Sequence, residues 1–241
     1  MARLKIILIS CLLGWSLAEA GVQVRQYSFI NDGQIYGYWT LDESSGIYVS
    51  PIVKWRTGTL VNGGTWVQGK QGNGLLLAGG SSQWVNFGNC LNLDTYNFSC
   101  ACWVKFTDDQ RGTLVSKYGS KGFYLARYTD KKIFIKIRDA STNVSVWGGT
   151  VEAGVWTHIV VTADRSNPTT GAKIYINTQL SGEGQLGTGS ISDTAPLKFG
   201  EVASSSYLYG IIDEVLLIRR ILTPAEIQEL YDYKKERITM E

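Results

Sequence analysis

Histidine is nearly absent from this chain: His158 is the only one in 241 residues. A zinc site of the usual kind needs several imidazoles or closely paired thiolates, and a hydrolytic triad needs an imidazole base beside its nucleophile. His158 lies between Thr157 and Ile159 in a strand-like run, so it reads as a hydrogen-bonded structural residue rather than a base. Charge of one sign is lacking too, with 23 Lys and Arg against 21 Asp and Glu. No basic face of the kind that nucleic-acid binders carry is evident. Prolines number only four against 27 glycines, which suits a chain of many tight turns. The acids Asp42-Glu43, Asp108-Asp109 and Asp213-Glu214 are adjacent pairs, and strand neighbours point to opposite faces.

No apolar run is long enough to span a membrane, which takes about 18 or more residues. The run Ile6–Leu13 follows Arg3 and Lys5 and precedes Ala18-Glu19-Ala20, the layout of a secretory signal with cleavage after Ala20. "LISC" at Cys11 resembles a lipoprotein cleavage site, but only ten residues precede the cysteine and apolar residues continue past it. A secreted, extracytoplasmic protein without stable membrane insertion is expected.

Gly64 to Lys70 reads G-x-x-x-x-G-K, the outline of a phosphate loop. Gln71 stands where the magnesium-binding Ser or Thr belongs, and Gly72 and Gly74 oppose the helix that must follow. The stretch reads as a turn leading into a strand over Leu75–Leu77, and no nucleotide is expected.

Three cysteines remain beyond the signal. Cys100 and Cys102 are two apart on a strand, at the upper limit of disulfide geometry. An oxidising compartment favours one bridge and one spare thiol, with Cys90 joined to one of them; three buried thiols is the other reading. From Tyr36 onward, short apolar-alternating runs broken by Gly, Asn and Ser indicate antiparallel β structure. In "KKIFIKIR", Ile133, Ile135 and Ile137 face one way, and Phe134, Lys136 and Arg138 the other. "LTPAEIQELY" carries a capping box, with Thr223 as N-cap, Pro224 first and Glu226 third. Ile227, Leu230 and Tyr231 then form its apolar stripe.

In order, "YGYWTLDESSG" (36–46), "GKQGNGLLLAGGSSQWVNFG" (69–88), "NFSCACWVKF" (97–106), "GVWTHIVVTAD" (154–164), "IYINTQ" (174–179) and "YGIIDEVLLIRRILTPAEIQELY" (209–231) resemble the laminin-G-like jelly rolls of the concanavalin A-like lectin/glucanase superfamily. Thr178 stands where the family has a turn glycine. The resemblance implies an all-β, two-sheet antiparallel jelly-roll sandwich with one short C-terminal helix. It divides the chain into a signal peptide (1–20), an extension (21–35), the domain (36–232) and a polar tail (233–241). Glucanases of this superfamily carry an E-x-D-x-E or E-x-D-x-x-E strand that sets two carboxylates on one face. This chain has none, so it is expected not to be an enzyme.

Asp213 shares its expected strand face with Ile211, Val215 and Leu217, and a partly buried carboxylate needs a partner. In this superfamily the first and last strands commonly lie side by side, which would bring Asp42 near it. One calcium ion would suit the pair; an arginine, or hydrogen bonds from loop N–H groups, would serve instead. Trp39, Trp66, Trp84, Trp103 and Trp156 fall at family positions that pack. Trp55 and Trp147 do not, and with Tyr207 and Tyr209 in "ASSSYLYG" they are the candidate stacking rings for a sugar. Asn97-Phe98-Ser99 and Asn143-Val144-Ser145 are glycosylation sequons. The expected partner is a glycan or glycosylated surface, with an extracellular protein as the alternative.

Overall fold

The computed structural model describes residues 32–53 and 56–233. The signal sequence, all but the end of the 21–35 extension, Trp55 and the tail beyond Tyr233 lie outside the described residues. In chain order the strands are β1 (Ile35–Trp39), β2 (Tyr48–Val49), β3 (Gly58–Val61), β4 (Thr65–Gln68), β5 (Asn73–Leu77) and β6 (Trp84–Asn86). Then come β7 (Phe98–Phe106), β8 (Gly112–Tyr118), β9 (Gly122–Arg127), β10 (Lys132–Arg138), β11 (Asn143–Thr150) and β12 (Thr157–Ala163). The last are β13 (Ala172–Ile176), β14 (Gln179–Gly184), β15 (Leu197–Phe199), β16 (Glu201–Val202), β17 (Ser206–Tyr207) and β18 (Gly210–Ile218). One α-helix among the described residues, α1 (Pro224–Asp232), follows, besides a 3-10 turn at Gly79–Ser81.

Sixteen of these strands form two antiparallel sheets, and β16 and β17 pair apart as a hairpin. Sheet A runs β14-β13-β12-β7-β18-β5-β4, with β1 also paired to β18, and sheet B runs β11-β10-β9-β8-β15-β6-β3-β2. First and last strands lie side by side as expected, with Trp39 opposite Val215. Alternation supplies the core between the sheets: Ile133, Ile135 and Ile137 of β10 meet Cys100, Cys102, Val104, Ile159 and Val161 of sheet A. Trp39, Phe87 and Phe199 pack ring to ring in the same core. Burial of such large rings is the main stabilising contribution of a sandwich of this kind.

The two outer faces are treated differently. Helix α1 covers sheet A's: Ile227 and Leu230 are buried against Ala101, Val160, Leu216 and Ile218. Its start carries the expected capping box, with Thr223 and Glu226 bonded reciprocally. Arg220 clamps that end, its guanidinium 2.6 Å from Glu226 and 2.5 Å from Asp32. No helix covers the outer face of sheet B among the described residues.

Three expectations need correction. Gly64–Lys70 is not all turn: Thr65–Gln68 is β4, and the reversal spans Gly69–Gly72 before β5. In β18 a bulge falls between Asp213 and Leu216, where Glu214 takes φ +52°. It shifts the alternation, so Ile212 rather than Ile211 shares the inner face with Val215 and Leu217, and Asp213 is fully rather than partly buried. Finally, the bridge from Cys90 gives way to the other reading, three buried thiols: Cys90, Cys100 and Cys102 are all free and buried, because β7 points Cys100 and Cys102 straight into the core. Burial raises all three thiols, Cys102 to about 12, which leaves them unreactive.

Candidate functional site

The outer face of sheet B carries a continuous row of rings. On β8 to β11 the outward positions include Tyr118, Tyr124, Phe134 and Trp147, with Tyr128 just beyond β9. Register sets their spacing: Phe134 lies opposite Ala126 on one side and Trp147 on the other. Tyr118 meets Tyr124 edge-on at 5.0 Å, and Tyr124 meets Phe134 at 5.5 Å. Phe134 stacks on Trp147 at 4.7 Å with a 29° interplanar angle, and Tyr128 closes the group edge-on to Trp147 at 5.7 Å. Buried Phe134 supports the row, while Trp147 and Tyr128 are each 44% exposed. Three strand spacings give the row a span of about 14 Å. A rigid line of apolar rings with wet edges can stack flat, polar-rimmed molecules such as sugar rings.

Polar groups lie in the next row along the strands. Lys136 lies opposite Tyr124 and Ser145, and Arg138 opposite Gly122 and Asn143. Burial, and the neighbouring Tyr118 to a lesser degree, pushes the Tyr124 hydroxyl up, with the Arg111 charge pulling against it. Beyond Trp147 a groove of about 430 Å³ separates β11 from β14, walled by Ser145, Glu183 and Gln185. The two edges approach this closely because Gly182 lacks a side chain: a Cβ there would sit 2.1 Å from the Trp147 carbonyl oxygen.

Of the sequence candidates, Trp147 therefore joins a site, and its companions Tyr118, Tyr124, Tyr128 and Phe134 were missed. Trp55 lies outside the described residues. Tyr209 packs on Gly79, where a Cβ would meet its ring at 2.3 Å, so it closes a loop away from the row. Tyr207 belongs to the β16–β17 hairpin and has no ring contact with the row. Trp39 and Trp103 are buried, as expected.

Asp42 and Asp213 do come to one place, but around a turn. Asp213 Oδ2 accepts the N–H groups of Lys70 at 2.8 Å and Gln71 at 3.0 Å, and Oδ1 accepts that of Glu214 at 2.8 Å. Asp42 Oδ1 accepts the Asn73 N–H at 3.1 Å. Gly72, at φ +80°, is needed because a Cβ there would sit 2.2 Å from Asp42 Oδ1. Loop N–H groups thus supply partners to both carboxylates, the second of the two roles the sequence left open beside calcium. No cluster of three or more His, Cys, Asp or Glu suited to a metal occurs among the described residues.

His158 is buried beneath α1, between Trp103 at 5.0 Å and Tyr231 at 6.0 Å. It is a structural residue: its backbone N–H donates to Asn177 Oδ1 at 2.9 Å, and its ring, with Nδ1 unpartnered, packs among the other rings. A second hollow of about 510 Å³ is lined by Arg56, Asn89, Cys90, Asn92, Ser192 and Asp193. Its walls bond to each other, Ser192 to Asn92 and Lys117 to Asn89, and no ring faces it.

The profile of a laminin-G family in the concanavalin A-like lectin/glucanases superfamily matches residues 79–228. No curated protein sequence matches the chain. Among solved structures, the binding domain of Paraclostridial Mosquitocidal Protein 1 is similar at TM-score 0.68 and 13% identity, over 84% of this chain and 52% of that one. Domain 4 of AbnA, a GH43 extracellular arabinanase from Geobacillus stearothermophilus, in complex with arabinotriose, is similar at TM-score 0.62 and 17% identity, over 83% of this chain and 98% of that one. The binding domain of Botulinum Neurotoxin DC in complex with SialylT is similar at TM-score 0.63 and 11% identity, over 84% and 52%. The chain thus spans about half the length of these toxin binding domains and nearly all of the arabinanase domain. At these identities the likeness is one of fold. No helix among the described residues is long and apolar enough to cross a membrane.

Proposed function

The chain belongs to the concanavalin A-like lectin/glucanases superfamily, and from that premise we propose that it is a non-catalytic carbohydrate-binding module working outside the cytoplasm. The observation that carries this reading is the Tyr118–Tyr124–Phe134–Trp147 row, with Tyr128, on the outer face of sheet B. Tyr48 and Tyr96 are also exposed, but neither makes a ring contact with this row. A row of rings on a rigid sheet with Trp147 and Tyr128 exposed gives up burial energy there, and a ligand that stacks on those rings restores it. The arabinanase domain supports the same direction, because this chain covers 98% of it and it is described with a bound arabinotriose. The half-covered toxin domains support it less, since their unmatched halves are free to hold the ligand.

Catalysis is not part of the proposal. Asp213 is occupied by backbone N–H groups, and His158 is buried beneath a helix. Neither faces the ring row, and the carboxylate pair that glycoside hydrolysis needs is not found there.

The test is a glycan array on the protein, run with calcium and with chelator, and repeated on Trp147→Ala. Specific binding that Trp147→Ala weakens about thirtyfold or more, at unchanged melting temperature, is expected; a central aromatic contact is worth about 2 kcal/mol. Binding that survives in Trp147→Ala removes this face as the site. Silence of the well-folded protein on every glycan sinks the reading and turns the search to protein partners, for which Ile47, Tyr48 and Ile52 are exposed apolar side chains.

A further inference from the structure

The ring row has cations beside it and no acids interleaved. Lys136 and Arg138 project from the same face of β10 as Phe134, by the two-residue alternation of a strand. Successive positions on that face lie about 6.7 Å apart, so both charges fall within one or two sugar widths of the rings. The cross-strand neighbours of Lys136 are Tyr124 and Ser145, and those of Arg138 are Gly122 and Asn143, all uncharged. Of the other cations on or near sheet B, Lys132 pairs with Asp130 at 3.4 Å, Lys131 with Asp109 at 3.0 Å, and Lys198 with Glu201, while the buried Lys117 amine donates to Asn89 and to two backbone carbonyls. Lys136, Arg138 and Arg111 take no part in the ion pairs of the described residues. Glu183 is the acid nearby, on the far wall of the groove beyond Trp147.

Surface cations are ordinary, but their arrangement here is selective. The chain as a whole is close to neutral, 23 basic to 21 acidic residues, and on or beside this sheet Lys131, Lys132 and Lys198 find carboxylates. Lys136 and Arg138, beside the rings, pair with none among the described residues. Resting on the reading of this face as a glycan site, we infer that it selects anionic glycans: sugars bearing carboxylate or sulfate groups, stacked on the Trp147–Phe134–Tyr124 row with the anionic oxygens directed to Lys136 and Arg138. Arg138 suits this role because a guanidinium meets a carboxylate or sulfate with two parallel N–H donors. Lys136, half-buried beside Tyr124, supplies a point charge in a partly desolvated position, where attraction exceeds its value in open water.

The test uses matched probes: polygalacturonate against its methyl ester, and chondroitin sulfate against desulfated chondroitin, titrated with the full chain by calorimetry at low and high salt. At least one charged probe should bind about tenfold more tightly than its neutral counterpart at low salt, the gain expected from two partly exposed charge contacts. The preference should shrink as salt screens it. The double variant Lys136→Gln/Arg138→Gln, checked for an unchanged melting temperature, should bring the charged-to-neutral ratio close to one. Equal binding of charged and neutral probes overturns the inference while the glycan-binding reading stands. A preference that persists in the double variant overturns the assignment to these residues. Binding of none of the probes, when the array has found a neutral glycan ligand, overturns the inference alone; silence on both defeats the reading beneath it.

Discussion

The carboxylate of Asp213 receives the backbone N–H of Lys70 at 2.8 Å. The stretch that imitates a phosphate loop thus does bind an anion, supplied by its own chain. Tight reversal at Gly69–Gly72 turns the Lys70 and Gln71 N–H groups to one side, and the β18 bulge delivers Asp213 to them. Removing the acceptor strands three buried or half-buried N–H groups, each costing about 1–3 kcal/mol. Asp213→Ala should therefore destabilise the domain by about 3 kcal/mol or more, a fall in melting temperature of roughly 6–12 °C for a domain of this size. Calorimetry checks this. Chelator should leave the wild-type melting temperature unchanged, because three backbone N–H groups already satisfy the carboxylate. A chelator-induced fall would place a cation on the protein and reverse that conclusion.

His158, the sole histidine, makes the pH dependence of stability unusually clean to read. Burial, with a smaller contribution from the Lys70 charge, lowers its pKa to about 3, against about 6.5 when unfolded. Between those values the unfolded state binds a proton that the folded state refuses. Stability from this group is complete above about pH 6.5 and is lost as pH falls toward 3, at about 1.4 kcal/mol per unit. His158→Phe keeps a ring between Trp103 and Tyr231 and removes the proton. Denaturant unfolding at pH 7, 6 and 5 should show a slope in the wild type that this variant largely lacks. Parallel curves would show that the ring protonates freely in the folded protein.

The Asn177-Thr178 turn has both residues at positive φ, +48° and +74°, joining β13 to β14 in the manner of a type I′ hairpin. A β-branched residue is poorly suited to that conformation, which costs about 1–2 kcal/mol away from glycine. Thr178→Gly should stabilise the protein by about 1 kcal/mol after the added freedom of the unfolded chain is discounted, raising the melting temperature by about 2–4 °C. A neutral or lower melting temperature would mean that the Thr178 side chain compensates through its neighbours.

Local pattern made much of this fold legible. Alternation in "KKIFIKIR" assigned the inner and outer faces of β10 correctly, and Thr223-Pro224-Ala225-Glu226 announced α1 by its capping chemistry. The ring row was not legible, because its members come from four separate stretches and meet only through register. Phe134 faces Trp147 across a ladder interrupted between Lys132 and Phe134, and Tyr124 is set by another irregularity between Thr113 and Val115. One residue of slippage would send either ring into the core. Trp147 was visible because glycines follow it. Tyr207 and Tyr209 were chosen by loop composition, which says nothing about the loop's position, and Tyr209 proved to pack on Gly79. The β18 bulge was hidden for the same reason: the left-handed residue is Glu214, and no glycine marks it.

The two sequons stand in opposite situations. Asn97 Oδ1 accepts the Arg165 N–H at 2.7 Å. Ser99 is fully buried, its hydroxyl donating to the Arg220 carbonyl at 2.7 Å and accepting the Leu222 N–H at 3.0 Å. Asn143 and Ser145 are both exposed at the start of β11. A folded, secreted product from a eukaryotic host should therefore carry glycan at Asn143 and not at Asn97. Intact mass should show one glycosidase-sensitive increment, lost in Asn143→Gln and retained in Asn97→Gln. Asn143 also shares its face with Trp147, four residues or about 13 Å along the strand, and lies opposite Arg138. A chain attached there overhangs the cationic end of the ring row, so the glycosylated form should bind charged glycans more weakly than the unmodified Asn143→Gln protein. A second increment from Asn97 would contradict the burial argument, and equal binding by the two forms would place the ligand away from Arg138.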